Sequence, residues 1–155
     1  MIQTYSQPPK KRSHSQPEHK LQVECVKYFS ETYPERRGEL FATFQETTSQ
    51  GQGGIMLSLG LVGGVSDLLL VQDGFLIGIE MKCPDTSHNT EHLIRQARWL
   101  LKVPKRGYFC DSLEMFKEII AGGEGIDPKS VLEYCKKVKT KSITWKSVNV
   151  LVLSL

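Results

Sequence analysis

Two short apolar runs, Val65 to Val71 and Phe75 to Met81, lie on either side of Asp73-Gly74. An Asp-Gly pair between runs with β-branched members is a strong hairpin signal, because tight hairpin turns need residues that tolerate positive φ. The flanking sequence then has to supply helices and further strands that pack on this ribbon. No other local feature limits the fold as much.

Pro17 opens a helix: Ser15 precedes it, proline suits a first turn, and Glu18 favours the positive helix end. Leu21, Cys25, Val26 and Phe29 follow at three- and four-residue steps, and Pro34 and Gly38 close the unit. Leu40, Ala42 and Phe44 alternate as in a strand. A glycine-rich loop spans 47–54, and good helix formers at 55–61 suggest a short helix or turn. Beyond the hairpin, a polar loop at 85–90 leads to a helix from Glu91 to Leu101 and a strand from Gly107 to Cys110. Asp111 or Ser112 caps a helix that runs through Ile120. Asp127-Pro128 starts another, to about Val138, and Ser147 to Leu155 reads as a terminal strand or apolar tail. This order predicts an α/β domain with a mixed central sheet flanked by helices.

Composition narrows the class. The 155 residues suit one domain with a real core, 24% of them charged and 39% hydrophobic. No apolar run approaches the roughly 18 residues needed to cross a bilayer. The first sixteen residues are polar and carry Lys10, Lys11 and Arg12, which predicts a flexible basic arm and no signal peptide. Cys25, Cys83, Cys110 and Cys135 stand far apart with no C-x-x-C pair, so they read as buried thiols. A membrane span, a disulfide scaffold and a zinc finger are thereby excluded as expectations. The net charge of +3 is compatible with a nucleic-acid partner without requiring one.

The hairpin also carries the chemistry. Asp67 begins its first strand, while Glu80 and Lys82 end the second, two residues apart and therefore on one face. Antiparallel pairing brings two carboxylates and one ammonium to the same end of the sheet. That set suits metal-assisted phosphodiester cleavage. Mg²⁺ takes one or two carboxylates with water and phosphate oxygens, and a nearby lysine can orient the attacking water and offset negative charge. The competing account is an exposed strand-face ion pair worth under about 1 kcal/mol. Chance also matters: at roughly 6% for each residue type, an E-x-K triplet occurs in about one chain in two of this size. What favours chemistry is context, since charged groups closing a buried run such as Phe75 to Ile79 are seldom idle.

The segments Gly63-Gly64-Val65-Ser66-Asp67-Leu68 and Ile79-Glu80-Met81-Lys82-Cys83-Pro84, with Gln96 in the next helix, resemble the PD-(D/E)XK nuclease superfamily. Within it the chain is most similar to the VRR-NUC group, the short stand-alone proteins of phages. Glu18-x-x-Leu21-Gln22-x-x-Cys25-Val26-x-Tyr28-Phe29 with Tyr33-Pro34 resembles that group's first helix, and Gly107 to Cys110 also fits. The resemblance implies a restriction-endonuclease-like core over 17–121, with 122–155 a C-terminal helix and tail on the same domain. It implies a Mg²⁺- or Mn²⁺-dependent endonuclease acting on branched DNA, such as Holliday junctions or flaps. A homodimer in the phage or bacterial host cytoplasm, with no membrane contact, is implied as well. By residue, it makes Asp67 and Glu80 metal ligands, with Glu18 and the Met81 carbonyl as further ligands. Lys82 becomes the catalytic lysine and Gln96 the helical glutamine beside the site.

The chain departs from the group's pattern at Gln45 to Thr48, where an Asn-Gly turn is usual, and at Ser66, where proline commonly precedes the aspartate. Two other readings stay open: a catalytically silent DNA- or protein-binding module of the same fold, and a sequence-specific restriction-type endonuclease. His88 and His92 are expected as surface histidines flanking a DNA groove. Lys102, Lys105 and Arg106 are expected as phosphate-gripping cations or solvated charges.

Overall fold

A computed structural model describes residues 17–43, 58–59, 65–103 and 106–152. The expected basic arm, the glycine-rich loop, Phe44, Lys105 and all but two residues of the short helix at 55–61 lie outside these. Helix α1 (Pro17–Thr32) is followed by a 3₁₀ turn (Pro34–Arg36) and strand β1 (Leu40–Ala42). Next come β2 (Leu68–Gln72), β3 (Phe75–Met81), β4 (Ser87–Asn89) and α2 (Thr90–Leu100). The chain continues through β5 (Arg106–Cys110), α3 (Leu113–Ile120), α4 (Pro128–Lys137), β6 (Ser142–Thr144) and α5 (Trp145–Val152).

The hairpin forms as the Asp-Gly pair predicts. Gln72 pairs with Phe75, and Asp73 and Gly74 take φ of +52° and +78°, the positive values that a two-residue type I′ loop needs. The main sheet runs β1-β2-β3-β5, antiparallel through β3 and parallel between β3 and β5. The parallel pair requires a crossover, and α2 supplies it. The fold is α/β with a mixed four-stranded sheet flanked by helices.

Alternation along β3 sorts the two layers. Ile79 and Met81 join Cys25 and Phe29 of α1 and Phe116, Ile119 and Ile120 of α3 in one core. On the other face Leu93, Ala97 and Leu100 of α2 pack with Phe109, Val131 of α4 and Trp145 of α5. Each fully buried Leu, Ile or Phe contributes about 1.5–3 kcal/mol, so these two clusters hold the sheet between helices. Gly78 makes the second layer possible, since a Cβ there would stand 2.9 Å from the Trp99 ring and 3.1 Å from Leu100 Cδ2.

Two expectations need correction. The polar segment 85–90 is not all loop: Ser87–Asn89 pairs antiparallel with Ser142–Thr144 in a separate two-stranded ribbon. The C-terminal segment is not a strand, because Trp145 and Val148 sit three apart, both fully buried, on one helical stripe. Ser112 is the cap that α3 uses, accepting the Met115 N–H at 3.1 Å.

Candidate active site

Asp67 sits one residue before β2, and the register Leu68↔Ile79 places it opposite Glu80. Its Oδ2 accepts the Met81 backbone N–H at 2.8 Å, which fixes the carboxylate against the end of β3. Glu80 points from β3 towards α2 and is 3% exposed; Lys82, on the same face, is 2% exposed. Lys82 Nζ donates to Glu80 Oε1 at 3.0 Å, and Gln96 Nε2 of α2 donates to the same oxygen. The lysine also stands 5.9 Å from the centre of the Phe109 ring. Gln96 Oε1 is buried with no hydrogen-bond partner among the described residues, and the Glu80 carboxyl meets that of Asp67. Hairpin pairing and helix packing thus bring together Asp67, Glu80, Lys82 and Gln96 as the sequence predicts. Met81 contributes its N–H to the site and its side chain to the core.

Burial dominates the electrostatics. It pushes the Glu80 carboxyl up to about 8, against the pull of the Lys82 ammonium and with a further push from Asp67. Asp67 also lies above the usual carboxylate range through burial, partly offset by the Met81 N–H, by Lys82 and by a side-chain hydrogen bond with Glu80. Taking an ion pair out of water costs several kcal/mol per charge, and a well-packed apolar pair is often as stable or more so. Stability alone therefore gives little reason to place these groups here.

Glu18, half-buried at the start of α1, closes the site from the opposite side. His88 Nε2 lies 3.2 Å from Glu18 Oε1 and 2.7 Å from Thr86 Oγ1, which in turn donates to the Cys83 carbonyl at 2.8 Å. His88 is only 11% exposed, which corrects its expected place on the surface. Burial, with Lys82 and His92 nearby, lowers its pKa to about 4, so the contact with Glu18 at neutral pH is a hydrogen bond. His92 lies on the α2 side, exposed, as expected of a groove-flanking histidine. A cavity of about 930 Å³ opens between α1 and α2 over all of these groups.

Other residues of this cavity carried no signal in the sequence. His19, Gln22 and Lys27 line it because α1 lays one face along its rim. Only the i, i+4 step from Glu18 to Gln22 could have pointed to that face. Thr86 and His88 are held from outside: Trp145 N–H donates to Thr86 O, and Lys146 N–H donates to Pro84 O, each at 3.0 Å. Trp145 in turn donates from its indole to buried Asp111 at 3.1 Å and meets His88 edge-on at 6.2 Å. Glu24 is exposed on α1 and away from the cavity. Lys102 lies beside a small apolar cleft with Leu69, Leu76 and Trp99.

No family model, curated protein or solved structure matches the chain. Among the described residues no three His, Cys, Asp or Glu side chains form a ready-made metal cage. No described helix is long and apolar enough to cross a membrane. Any functional conclusion therefore rests on the chemistry of the site.

Proposed function

We propose that the chain is a divalent-metal-dependent DNA endonuclease with a restriction-endonuclease-like core, selective for branched substrates such as junctions or flaps. The observation that carries this reading is the close pair of carboxyl groups, Asp67 and Glu80, which face each other at the end of the hairpin beside Lys82, at an open cavity. Two carboxyl groups this close disfavour each other's ionised form, and a bound cation relieves that repulsion. The donor set fits a hard cation. Asp67 and Glu80 supply the one or two carboxylates that Mg²⁺ or Mn²⁺ uses, water and phosphate complete the shell, and no three-residue cage is required.

Asp67 and Glu80, with Glu18 and the Met81 carbonyl, would hold the ion. When bound, it supplies charge for the phosphate oxygens and a more acidic water. The chain's own groups do the rest. Lys82, set by Glu80, offers an ammonium that orients a water and offsets charge building at phosphorus. Gln96 fixes the Glu80 carboxylate by donating to Oε1. A homodimer would present two such sites to opposite strands.

A labelled four-way junction, flap, single strand and linear duplex, each incubated with Mg²⁺ or Mn²⁺, test the reading. Cleavage of a branched substrate, lost in Lys82→Ala and Asp67→Asn, supports it. No cleavage of any substrate, or equal cleavage by both variants, overturns it. The competing reading is a silent binding module. It draws on the closed hydrogen-bond set of Lys82, Glu80 Oε1 and Gln96, which could serve as a structural pair.

A further inference from the structure

The ribbon of β4 and β6 has two unlike faces. His88 and Ile143 pair across it; His88 reaches Glu18 and Ile143 enters the core. The remaining four residues, Ser87, Asn89, Ser142 and Thr144, are all exposed, and each carries a hydroxyl or amide. Lysines surround this outer face. Residues 136–146 contain Lys136, Lys137, Lys139, Lys141 and Lys146 but no Asp or Glu. All five are exposed, and among the described residues none joins an ion pair.

Five of the chain's 20 Lys and Arg thus fall in eleven residues that hold none of its 17 Asp and Glu. The rest of the chain has 15 basic and 17 acidic residues, a balance of −2. One other run, 95–106, is as basic, with five Lys and Arg and no Asp or Glu. Helix energetics account for only part of the charge at 136–146. Lys136 and Lys137 lie in the last turn of α4, where a cation offsets the helix dipole. Lys139 and Lys141 lie beyond that helix, and Lys146 is the second residue of α5, at the end where a cation is unfavourable. Acidic residues near the ribbon in the chain are Asp85 and Glu91, which flank β4, and Glu133, a turn before the α4 terminus.

We propose that the outer face of this ribbon, with Lys139, Lys141 and Lys146, is a docking surface for the sugar–phosphate backbone of a DNA strand. Lysine, serine, threonine and asparagine are the side chains that contact phosphate without reading bases. The surface is tied to the site by backbone bonds: Lys146 N–H to Pro84 O, and Thr90 N–H to Lys141 O, both 3.0 Å. Pro84 follows Lys82 by two residues, so the ribbon is anchored to the segment that carries the site lysine. The inference rests on the nuclease reading for its partner, and it assigns that partner's backbone a second point of contact.

The test measures binding in EDTA, where no cleavage intervenes, by anisotropy of a labelled four-way junction from about 0.05 to 0.2 M KCl. The ribbon triple variant Lys139→Gln, Lys141→Gln, Lys146→Gln is compared with a charge-matched triple, Lys20→Gln, Lys117→Gln, Lys129→Gln. Counterion release gives a salt slope of about 0.9 per phosphate contact, so the ribbon triple should lose about 2 to 3 in slope. Its affinity near 0.1 M salt should fall roughly tenfold or more, with the matched triple within about twofold of the parent. Equal weakening in both triples, or none in either, overturns the proposal. So does a parent that binds phosphatidylserine vesicles through these lysines and no DNA. If the triple does not fold, the three single variants carry the same comparison. Ribbon-dependent binding without cleavage under Mg²⁺ or Mn²⁺ sinks the nuclease reading alone; cleavage with unaltered ribbon variants sinks the docking surface alone.

Discussion

Lys82 Nζ donates to Glu80 Oε1 at 3.0 Å, with both side chains almost wholly buried. Breaking a buried pair usually costs about 3–5 kcal/mol, because the remaining charge is stranded. Here the two halves are unequal. Glu80 titrates near 8 and is already largely protonated at pH 7, so loss of the lysine strands little charge on it. Lys82→Ala should therefore destabilise less than the usual range and lower cleavage by about 10²-fold or more, the scale of a lost acid–base or charge-stabilising group. Urea unfolding at pH 7 and single-turnover cleavage rates check the two parts.

The same carboxyl sets a pH dependence. Its folded pKa of about 8 exceeds the ordinary value of 4.5, so the native state holds a proton that the unfolded state has lost between those limits. Its contribution to stability is complete below about 4.5 and is lost as pH rises through about 8. Metal-free protein should lose stability over that window relative to Glu80→Gln, in which this titration is absent. Mn²⁺ should reverse the trend, stabilising the parent by about 2.7 kcal/mol at a hundredfold excess over its dissociation constant. Thermal unfolding at pH 6 and 9, with EDTA or Mn²⁺, measures both. An identical pH trend in parent and variant would remove the metal-ligand role of Glu80.

These groups were legible in the sequence because their geometry is local. An Asp-Gly turn fixes the hairpin register, and the register places Asp67 opposite Glu80 whatever the rest of the chain does. Gln96 needed only one more helix, and the resemblance marked it. The ribbon was illegible for the opposite reason. Ser87-His88-Asn89 has no apolar alternation and low strand preference, and it pairs with residues about 55 positions away. Without that pairing, His88 looks like a loop histidine, and the contribution of residues after Gly122 has no visible address. The terminal helix is hidden because Val148 to Leu155 reads as one apolar run, while its anchor, Trp145, lies just upstream.

His88 is predicted to hold Glu18 in position. Its Nε2 is shared between Glu18 Oε1 and Thr86 Oγ1, and burial keeps the ring neutral down to about pH 4. His88→Ala should leave Glu18 without this partner and weaken Mn²⁺ binding about tenfold, the lower end for groups that orient a ligand. His88→Gln, which can present an N–H at a similar reach, should restore most of it. Titration calorimetry with Mn²⁺ separates the two, and equal affinity in parent and both variants would contradict the role. The linkage sign also differs from Glu80. A histidine with a lowered folded pKa withholds a proton that the unfolded chain binds, so its contribution is lost as pH falls from about 6.5 towards 4.

Trp145 links the ribbon to the core, and its indole supplies the clearest test of that link. Its Nε1–H donates to Asp111 Oδ2 at 3.1 Å, where the carboxyl is 8% exposed and burial already raises its pKa. Trp145→Phe keeps an aromatic ring against Phe109, 5.1 Å away between centres, but removes the donor. Losing a donor to a buried carboxylate costs about 1–3 kcal/mol, and the pKa of Asp111 should rise further. The penalty should shrink as pH falls and Asp111 takes up its proton, so parent and variant converge in stability towards pH 4. The backbone bond from Trp145 N–H to Thr86 O is untouched by the substitution, so the ribbon should stay paired and Mn²⁺ affinity should change less than in His88→Ala. Unfolding curves at pH 4 and 7, with a Mn²⁺ titration at pH 7, decide it. A pH-independent loss would place the indole's contribution in packing and not in its bond to Asp111.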